Sequence, residues 1–239
     1  ATLADGDYGD IVRSISFYPA TRLEDTGLPD GHFDLVCSQF GLEYAPIEAA
    51  VAEISRLLKT EGAMLAAMIH RQGSAIIEQA EEGIRQAMQC EKSGLTKTAG
   101  KLLGELQRVS ESGTDPADDA SCEKFRAQLN QITGKLHNAQ NQYKDPGQIS
   151  AYLLGTMAMF DSRQSGSLNP QQKIERLNEI DDTNAQYVLR MRDLMSSALS
   201  TDDLDRLRQQ LVANGLEIEL SEPVNYQGQS FCHAIIASR

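Results

Sequence analysis

Residues 28–71, LPDGHFDLVCSQFGLEYAPIEAAVAEISRLLKTEGAMLAAMIHR, carry the clearest fold signal in the chain. They contain two short apolar runs typical of buried strands, Phe33–Ser38 and Ala63–Ile69. Between these runs, apolar residues recur at helical spacing from Pro46, a residue suited to a first helical turn, to Lys59. A strand, a helix and a strand of this length predict a βαβ unit with parallel pairing.

The chain upstream of this unit predicts one more strand. Ser14–Tyr18, SISFY, alternates apolar and polar residues and stops at Pro19. Cys37, inside the FDLVCS run, is expected to be a small buried apolar side chain.

The C-terminal segment again has the sequence pattern of an α/β domain. Thr201 is a suitable N-cap for a helix, after which Leu216–Val224 and Ser230–Ser238 predict two antiparallel strands joined by a short turn. Two strands alone are marginally stable, so this pair needs a larger sheet. We therefore expect Met64–Ile69 and Phe231–Ile236 to be neighbours in one sheet.

The middle of the chain is rich in Gln, Glu, Lys and Ala at helical spacing. Helices are predicted near residues 74–91, 95–111, 118–142, 146–161 and 170–199. The predicted organisation has three parts: residues 1–72 as the N-terminal part of an α/β domain, 73–200 as an all-helical insertion or lid, and 201–239 as the helix and antiparallel strand pair that complete the sheet.

Composition and charge exclude several classes of protein. The 239 residues are 41% apolar and 23% charged, which is typical of globular domains. The net charge of −12, without a Lys/Arg cluster, argues against nucleic acid as a partner. No apolar run approaches the roughly 20 residues of a membrane-spanning helix. Four widely spaced cysteines without a CxxC motif favour reduced thiols in a cytoplasmic protein.

In their order and spacing, the motifs resemble those of a class I S-adenosylmethionine-dependent methyltransferase of type 11, related to ubiquinone and menaquinone biosynthesis enzymes. L-P-D-G-x-F-D-L-V leads into a strand, S-Q-F-G-L-E-Y follows it, and E-I-x-R-L-L-K-x-x-G ends the helix. LEIELSEPV and SFCHAIIASR are similar to the closing strands of that family. The resemblance implies a Rossmann-like α/β sheet, with S-adenosylmethionine as cofactor and S-adenosylhomocysteine as product. It also implies methyl transfer by direct displacement to an organic acceptor, small or bulky.

The sequence departs from the family pattern at its N-terminal end. The family's Gly-rich cofactor loop and the acidic residue that holds the ribose are not found upstream of Ser14. We therefore expect a sheet that is incomplete at its N-terminus, in a fragment of a longer enzyme or in a degenerate relative. We also expect weak cofactor binding by this chain, since each hydrogen bond to a charged group contributes about 1.5–3 kcal/mol.

The resemblance also implies site residues at strand ends, where open α/β sheets bind ligands. Those expected to face the adenine are Ala20, Thr21 and Arg22, and those expected to face the methionine end are Ser38, Gln39, Phe40 and Gly41. His70, directly after a strand, is a candidate catalytic base. Tyr44, with the adjacent Glu43, is a candidate acceptor-orienting group. The competing interpretations are a loop packed against helices and a structural histidine. No metal site is predicted, because the histidines and cysteines lack ligand spacing.

A second hypothesis of a different class stays open. The chain could be a non-catalytic methyltransferase-like remnant, whose helical segment acts as a scaffold for protein interactions. The same segment could join copies of this chain into a homo-oligomer or hold a partner chain. Its apolar cluster Met157, Met159 and Phe160 could line either a substrate site or such an interface.

Overall fold

The computed structural model describes residues 13–239, which fall into two compact units. The sheet unit comprises residues 13–71 together with Leu199–Arg239. The helical unit comprises Gln72–Ala198. The chain is thus an α/β protein in which a wholly helical unit lies, along the sequence, between two parts of a sheet-containing one.

Within residues 13–239, the sheet has four strands in the order β1-β2-β4-β3. The strands are β1 (Leu35–Gln39), β2 (Met64–Ile69), β3 (Glu217–Tyr226) and β4 (Gln229–Ser238). The β1–β2 pair is parallel, and the β2–β4 and β3–β4 pairs are antiparallel. The predicted adjacency of Met64–Ile69 and Phe231–Ile236 is confirmed, with Ala67 opposite Ile235. This mixed sheet is compatible with a Rossmann-like methyltransferase fold.

The core of the sheet unit joins one sheet face to two helices, α1 (Ile47–Leu57) and α8 (Thr201–Ala213). Every second residue of β2, such as Leu65 and Ile69, is buried there, as the period of a strand requires. Helix α8 begins with a capping box, in which the Ser200 hydroxyl accepts from the Asp203 N–H and the Asp203 carboxylate accepts from the Ser200 N–H. The N-cap is therefore Ser200 rather than the predicted Thr201.

The predicted strand Ser14–Tyr18 does not form. Residues 15–18 have no strand pairing, and Phe17 is 76% exposed. An alternating pattern makes a strand only where a neighbouring strand accepts its hydrogen bonds. Within residues 13–239, β1 pairs only with β2, so residues 15–18 do not extend the sheet.

The prediction of a buried Cys37 is also wrong. Cys37 is exposed, because the side chains of β1 alternate and those of Leu35, Cys37 and Gln39 lie on the sheet face away from α1 and α8. A strand at the end of a sheet has fewer neighbours to cover that face. The apolar run therefore predicted the strand correctly, but it did not predict which side chains of the strand are buried.

The helical unit contains α2 (Ala75–Ser93), α3 (Leu95–Ser112), α4 (Ala120–Gln140), α5 (Gly147–Ala158), α6 (Ser162–Ser165) and α7 (Pro170–Ser197). Its own core is built from buried leucines of α3, α4, α5 and α7. Asn169 caps α7 in a capping box with Gln172, and Pro170 occupies its first turn as expected. The helix predicted near 146–161 forms as α5 and ends at Ala158, and Asp161 caps the separate short α6 that follows.

The described part of the chain contains no helix long and apolar enough to cross a membrane. It also contains no group of three His, Cys or carboxylate side chains placed to hold a metal ion.

We expect Leu207→Ala to lower the free energy of unfolding of the sheet unit by about 2–5 kcal/mol, because it leaves a cavity where a fully buried side chain packed. The matched control is Val212→Ala in the same helix, whose side chain is 60% exposed and whose loss should cost less than about 0.5 kcal/mol. The free energy of unfolding of both variants is measured from the urea dependence of labelling at the buried Cys232 thiol, with the labelled site located by mass spectrometry. Equal effects of the two substitutions would contradict this packing.

Candidate functional site

The candidate site lies where β1 and β2 end. Because these strands are parallel, their carboxyl ends meet at the same sheet edge. The chain leaves β1 through Phe40 and Gly41 into a 3₁₀ turn, Leu42–Tyr44, while His70 follows β2 directly. The Phe40 N–H donates to the Met68 carbonyl at 2.8 Å, which holds the two chain ends together.

Phe40 has an unusual backbone conformation for a bulky residue. Its φ of 55° lies in the left-handed region, which residues other than glycine rarely adopt. The Phe40 ring stacks on the His70 imidazole, with centroids 4.2 Å apart and planes 18° from parallel. Such strain persists where the surroundings enforce it, often at functional sites.

Glu43 and His70 form the most unusual polar contact at this edge. The Glu43 carboxylate is fully buried, and its Oε1 accepts from the His70 N–H at 2.9 Å. The same Oε1 lies 2.7 Å from His70 Nδ1, but without the alignment of a hydrogen bond. Glu43 Oε2 has no hydrogen-bond partner among the described residues. A buried polar atom without a partner is costly and therefore needs an explanation.

The two predicted catalytic residues differ in their surroundings. His70 is buried in contact with Glu43 and Phe40, whereas Tyr44 is 51% exposed. The sequence placed Glu43 beside Tyr44 as a possible acceptor-orienting group, but it did not predict that Glu43 is buried against His70. In a 3₁₀ turn successive side chains point about a third of a turn apart, so Leu42 and Glu43 are buried while Tyr44 is not. The apolar Leu42 beside Glu43 was the sequence feature that could have indicated a buried carboxylate.

The predicted contacts of the methionine end lie together at the end of β1. The Ser38 hydroxyl is already used there, since it accepts from the Leu42 N–H at 2.9 Å and so fixes the turn. Gln39 and Gly41 are exposed. A Cβ at Gly41 would lie a tight 3.3 Å from the Ser38 hydroxyl, so glycine fits the turn that Ser38 fixes.

The predicted adenine contacts form a separate exposed turn. Ala20, Thr21 and Arg22 are exposed, and Arg22 pairs with Asp25 through the backbone. No hydrogen bond joins residues 20–22 to residues 38–41 in the described chain. The cofactor roles of both groups stay predictions.

An aromatic row extends the site along the sheet edge. The Phe231 ring lies 6.1 Å from the Phe40 ring, and the Tyr226 ring lies 6.1 Å from Phe231. Sequence reasoning missed this row, because it arises from antiparallel pairing of distant segments. Burial raises the pKa of the adjacent Cys232 thiol, with help from the Glu43 charge, so this cysteine is a poor nucleophile.

A second histidine lies near this edge. His233 pairs with Ile69 in the sheet, and its Nε2 lies 2.9 Å from the Ser221 hydroxyl, which also accepts from Arg208 Nε at 2.8 Å. Burial lowers the pKa of His233, and the positive charges of Arg208 and Arg71 lower it further. His233 is therefore kept neutral in the folded state.

The comparisons with known proteins match one segment of the chain. Residues 12–66 match the model of the type 11 methyltransferase domain family, a span that includes β1, α1 and the turn with Glu43. The resemblance to a class I S-adenosylmethionine-dependent methyltransferase is confirmed over this segment. Methyl transfer is the general activity that the match supports. No curated protein and no solved structure matches the chain.

We expect Glu43→Ala to destabilise the sheet unit by about 1–3 kcal/mol, because the buried His70 N–H loses its acceptor. Glu43→Gln is the matched control, since its amide oxygen retains that acceptor, and it should cost less. Hydrogen exchange of the β2 and β4 amides, read by mass spectrometry, measures the difference. Identical exchange in the two variants would show that the Glu43–His70 contact contributes no stability.

The lowered pKa of His233 predicts a loss of stability in acid. The unfolded histidine, with a pKa near 6.5, binds protons more readily than the folded one, so stability falls as the pH drops below about 6.5. In His233→Gln this part of the pH dependence should vanish. Calorimetric melting of both proteins between pH 7.5 and 5.5, roughly one unit either side of 6.5, makes the comparison. If the melting temperatures of the two proteins change with pH by the same amount, His233 is not the titrating group.

Proposed function

We propose that this protein transfers a methyl group from S-adenosylmethionine to an organic acceptor at the carboxyl ends of β1 and β2. The observation that carries the proposal is the family match over residues 12–66, which contains Glu43 with its unpartnered buried oxygen. Stability alone does not account for a buried carboxylate oxygen without a partner. A methyltransferase site requires polar groups at this strand edge.

The residues at the end of β1 fit the cofactor. S-adenosylmethionine, when bound, supplies an electrophilic methyl group on a sulfonium ion. Gly41 and Gln39 are both exposed there, and the Gln39 amide can hydrogen-bond the methionine end. Thr21 and Arg22 are the proposed adenine contacts, and both are exposed. Ser38 has an indirect role in this proposal. Its hydroxyl already accepts from the Leu42 N–H, and it therefore fixes the turn that carries the neighbouring site residues.

Glu43, His70 and Tyr44 are the proposed acceptor-side residues. The Glu43 carboxylate lies against His70 Nδ1, and Phe40 stacks on the ring, so the imidazole is held in one orientation. In the reaction, His70 would accept at Nε2 the proton that a hydroxyl or amine acceptor loses. Tyr44, exposed beside Glu43, would orient that acceptor. Alignment and water exclusion supply most of the remaining rate enhancement.

The helical unit has a role in the same proposal. Gln72–Ala198 lies in the chain between β2 and α8, the position where this family's substrate lid is found. We assign it as an insertion that closes over the acceptor and can also join copies of this chain or a partner chain. Four free cysteines, three of them buried, support a cytoplasmic location.

Titration with S-adenosylhomocysteine, the reaction product, tests this proposal. In the ¹⁵N-labelled chain we expect saturable amide shifts at residues 38–41 and 21–22, because these residues line the proposed cofactor site. Gln39→Ala should weaken binding several-fold, since it removes a hydrogen-bonding amide. Gln128→Ala, an exposed glutamine of α4, should leave binding unchanged.

Two contrary results have different consequences. If millimolar ligand shifts no amide at the β1 end, residues 38–41 and 21–22 of this chain do not hold the cofactor, and the proposal of methyl transfer by this chain alone falls. If shifts appear but Gln39→Ala has no effect, methyl transfer stands and the assignment of Gln39 falls.

A further inference from the structure

The helical unit contains a concave cavity of about 360 Å³ between α5 and α7. This volume lies within the range of small-molecule sites, roughly 300–1,000 Å³. All of its lining residues belong to the helical unit. The cavity is thus distinct from the β1–β2 edge described above.

One wall of the cavity is the outer side of α5. Ala151, Gly155 and Ala158 line it, and none has a side chain larger than a methyl group. The opposite side of α5 carries Ile149 and Leu153, which are buried in the helical core. Helix α5 is therefore apolar on both sides, a pattern typical of helices covered on both sides.

The other wall combines apolar side chains with a hydrogen-bonding floor. Met159 and Ile180 contribute apolar surface. Gln148 Nε2 donates to Asn184 Oδ1 at 3.0 Å, and Asn184, only 5% exposed, donates to the Ala87 carbonyl at 2.9 Å. Each side-chain amide has two N–H groups and an oxygen with two lone pairs, so both keep capacity for a further hydrogen bond.

The charges around the cavity cancel. Arg176 and Glu179 are the charged lining residues, and they form an ion pair with Nη1 2.6 Å from Oε2. A charged ligand would have to compete with this pair, and a neutral one would not. The lining therefore favours an uncharged molecule.

A part-buried hydrogen-bond network holds the walls in place. Tyr152, which lines the cavity from α5, donates to Asp181 of α7 at 2.6 Å. Thr96 of α3 donates to the same carboxylate at 2.9 Å. Three helices are thus tied at one point, so the cavity is a preformed feature of the unit.

We propose that this cavity binds a small, uncharged and largely apolar organic molecule that makes a hydrogen bond with the Gln148–Asn184 amides. The concave shape and modest volume suit a molecule better than the face of another protein, since a stable protein interface buries about 800 Å² on each partner. The proposal is independent of methyl transfer, because it uses residues of the helical unit alone.

The test uses two matched fluorescent probes on the full chain. N-phenylnaphthylamine is neutral, apolar and carries one N–H, and anilinonaphthalene sulfonate shares its ring system but is anionic. We expect saturable binding of the neutral probe at one site per chain, at least tenfold tighter than that of the anionic probe. The double substitution Ala151→Leu and Ala158→Leu fills the cavity and should weaken neutral-probe binding at least tenfold.

The control carries the same change at two exposed alanines outside the cavity, Ala52→Leu and Ala127→Leu, and should bind like the native chain. Circular dichroism establishes that each variant is folded. The proposal is overturned if the neutral probe does not saturate, if both probes bind equally, or if the control weakens binding as much. It is also overturned if filling the cavity changes the oligomeric state and leaves probe binding intact, since the groove would then be an interface between copies. Should the filled variant not fold, Gln148→Leu alone must weaken binding of the neutral probe.

Discussion

The antiparallel pairing of β2 with β4 is the contact on which the sheet unit depends. It joins two parts of the chain separated by the whole helical unit. The entropic cost of such a long excursion is modest, because each doubling of loop length adds only about 0.6 kcal/mol. The pairing is reinforced at its end by Arg239, whose N–H donates to the Ala63 carbonyl and whose guanidinium donates to the carbonyls of Ser55 and Leu58.

The same pairing builds the candidate site. With β1 on one side of it and β4 on the other, β2 is the strand that fixes His70 between Phe40 and β4. The aromatic contact from Phe40 to Phe231 crosses from one part of the sheet unit to the other. The left-handed backbone conformation of Phe40 is tolerated because two contacts hold the residue. Its N–H donates to the Met68 carbonyl, and its ring stacks on His70. The geometry of the site is therefore a consequence of sheet register.

Local sequence patterns predicted the elements better than the contacts. Helix α1, strand β2 and the C-terminal strands were evident because periodicity and turn residues are local signals. The strand expected at Ser14–Tyr18 was wrong, because a strand also requires a partner. The exposure of Cys37 depends on which face of the sheet the helices cover, and a local sequence pattern cannot predict which face that is. The Glu43–His70 contact joins residues from two elements, so the sequence indicated each residue separately but not that the two touch.

Two polar clusters, one in each unit, bear on why the site is proposed in the sheet unit. In the helical unit, the Tyr152 and Thr96 hydroxyls both donate to Asp181, and burial raises the pKa of Tyr152, so its hydroxyl keeps the proton that it donates. A satisfied network of this kind specifies packing. The Glu43 carboxylate, by contrast, is fully buried, and one of its oxygens has no partner among the described residues. Folding alone would favour an apolar side chain there, so the buried carboxylate is the feature of the β1–β2 edge on which the proposed site rests.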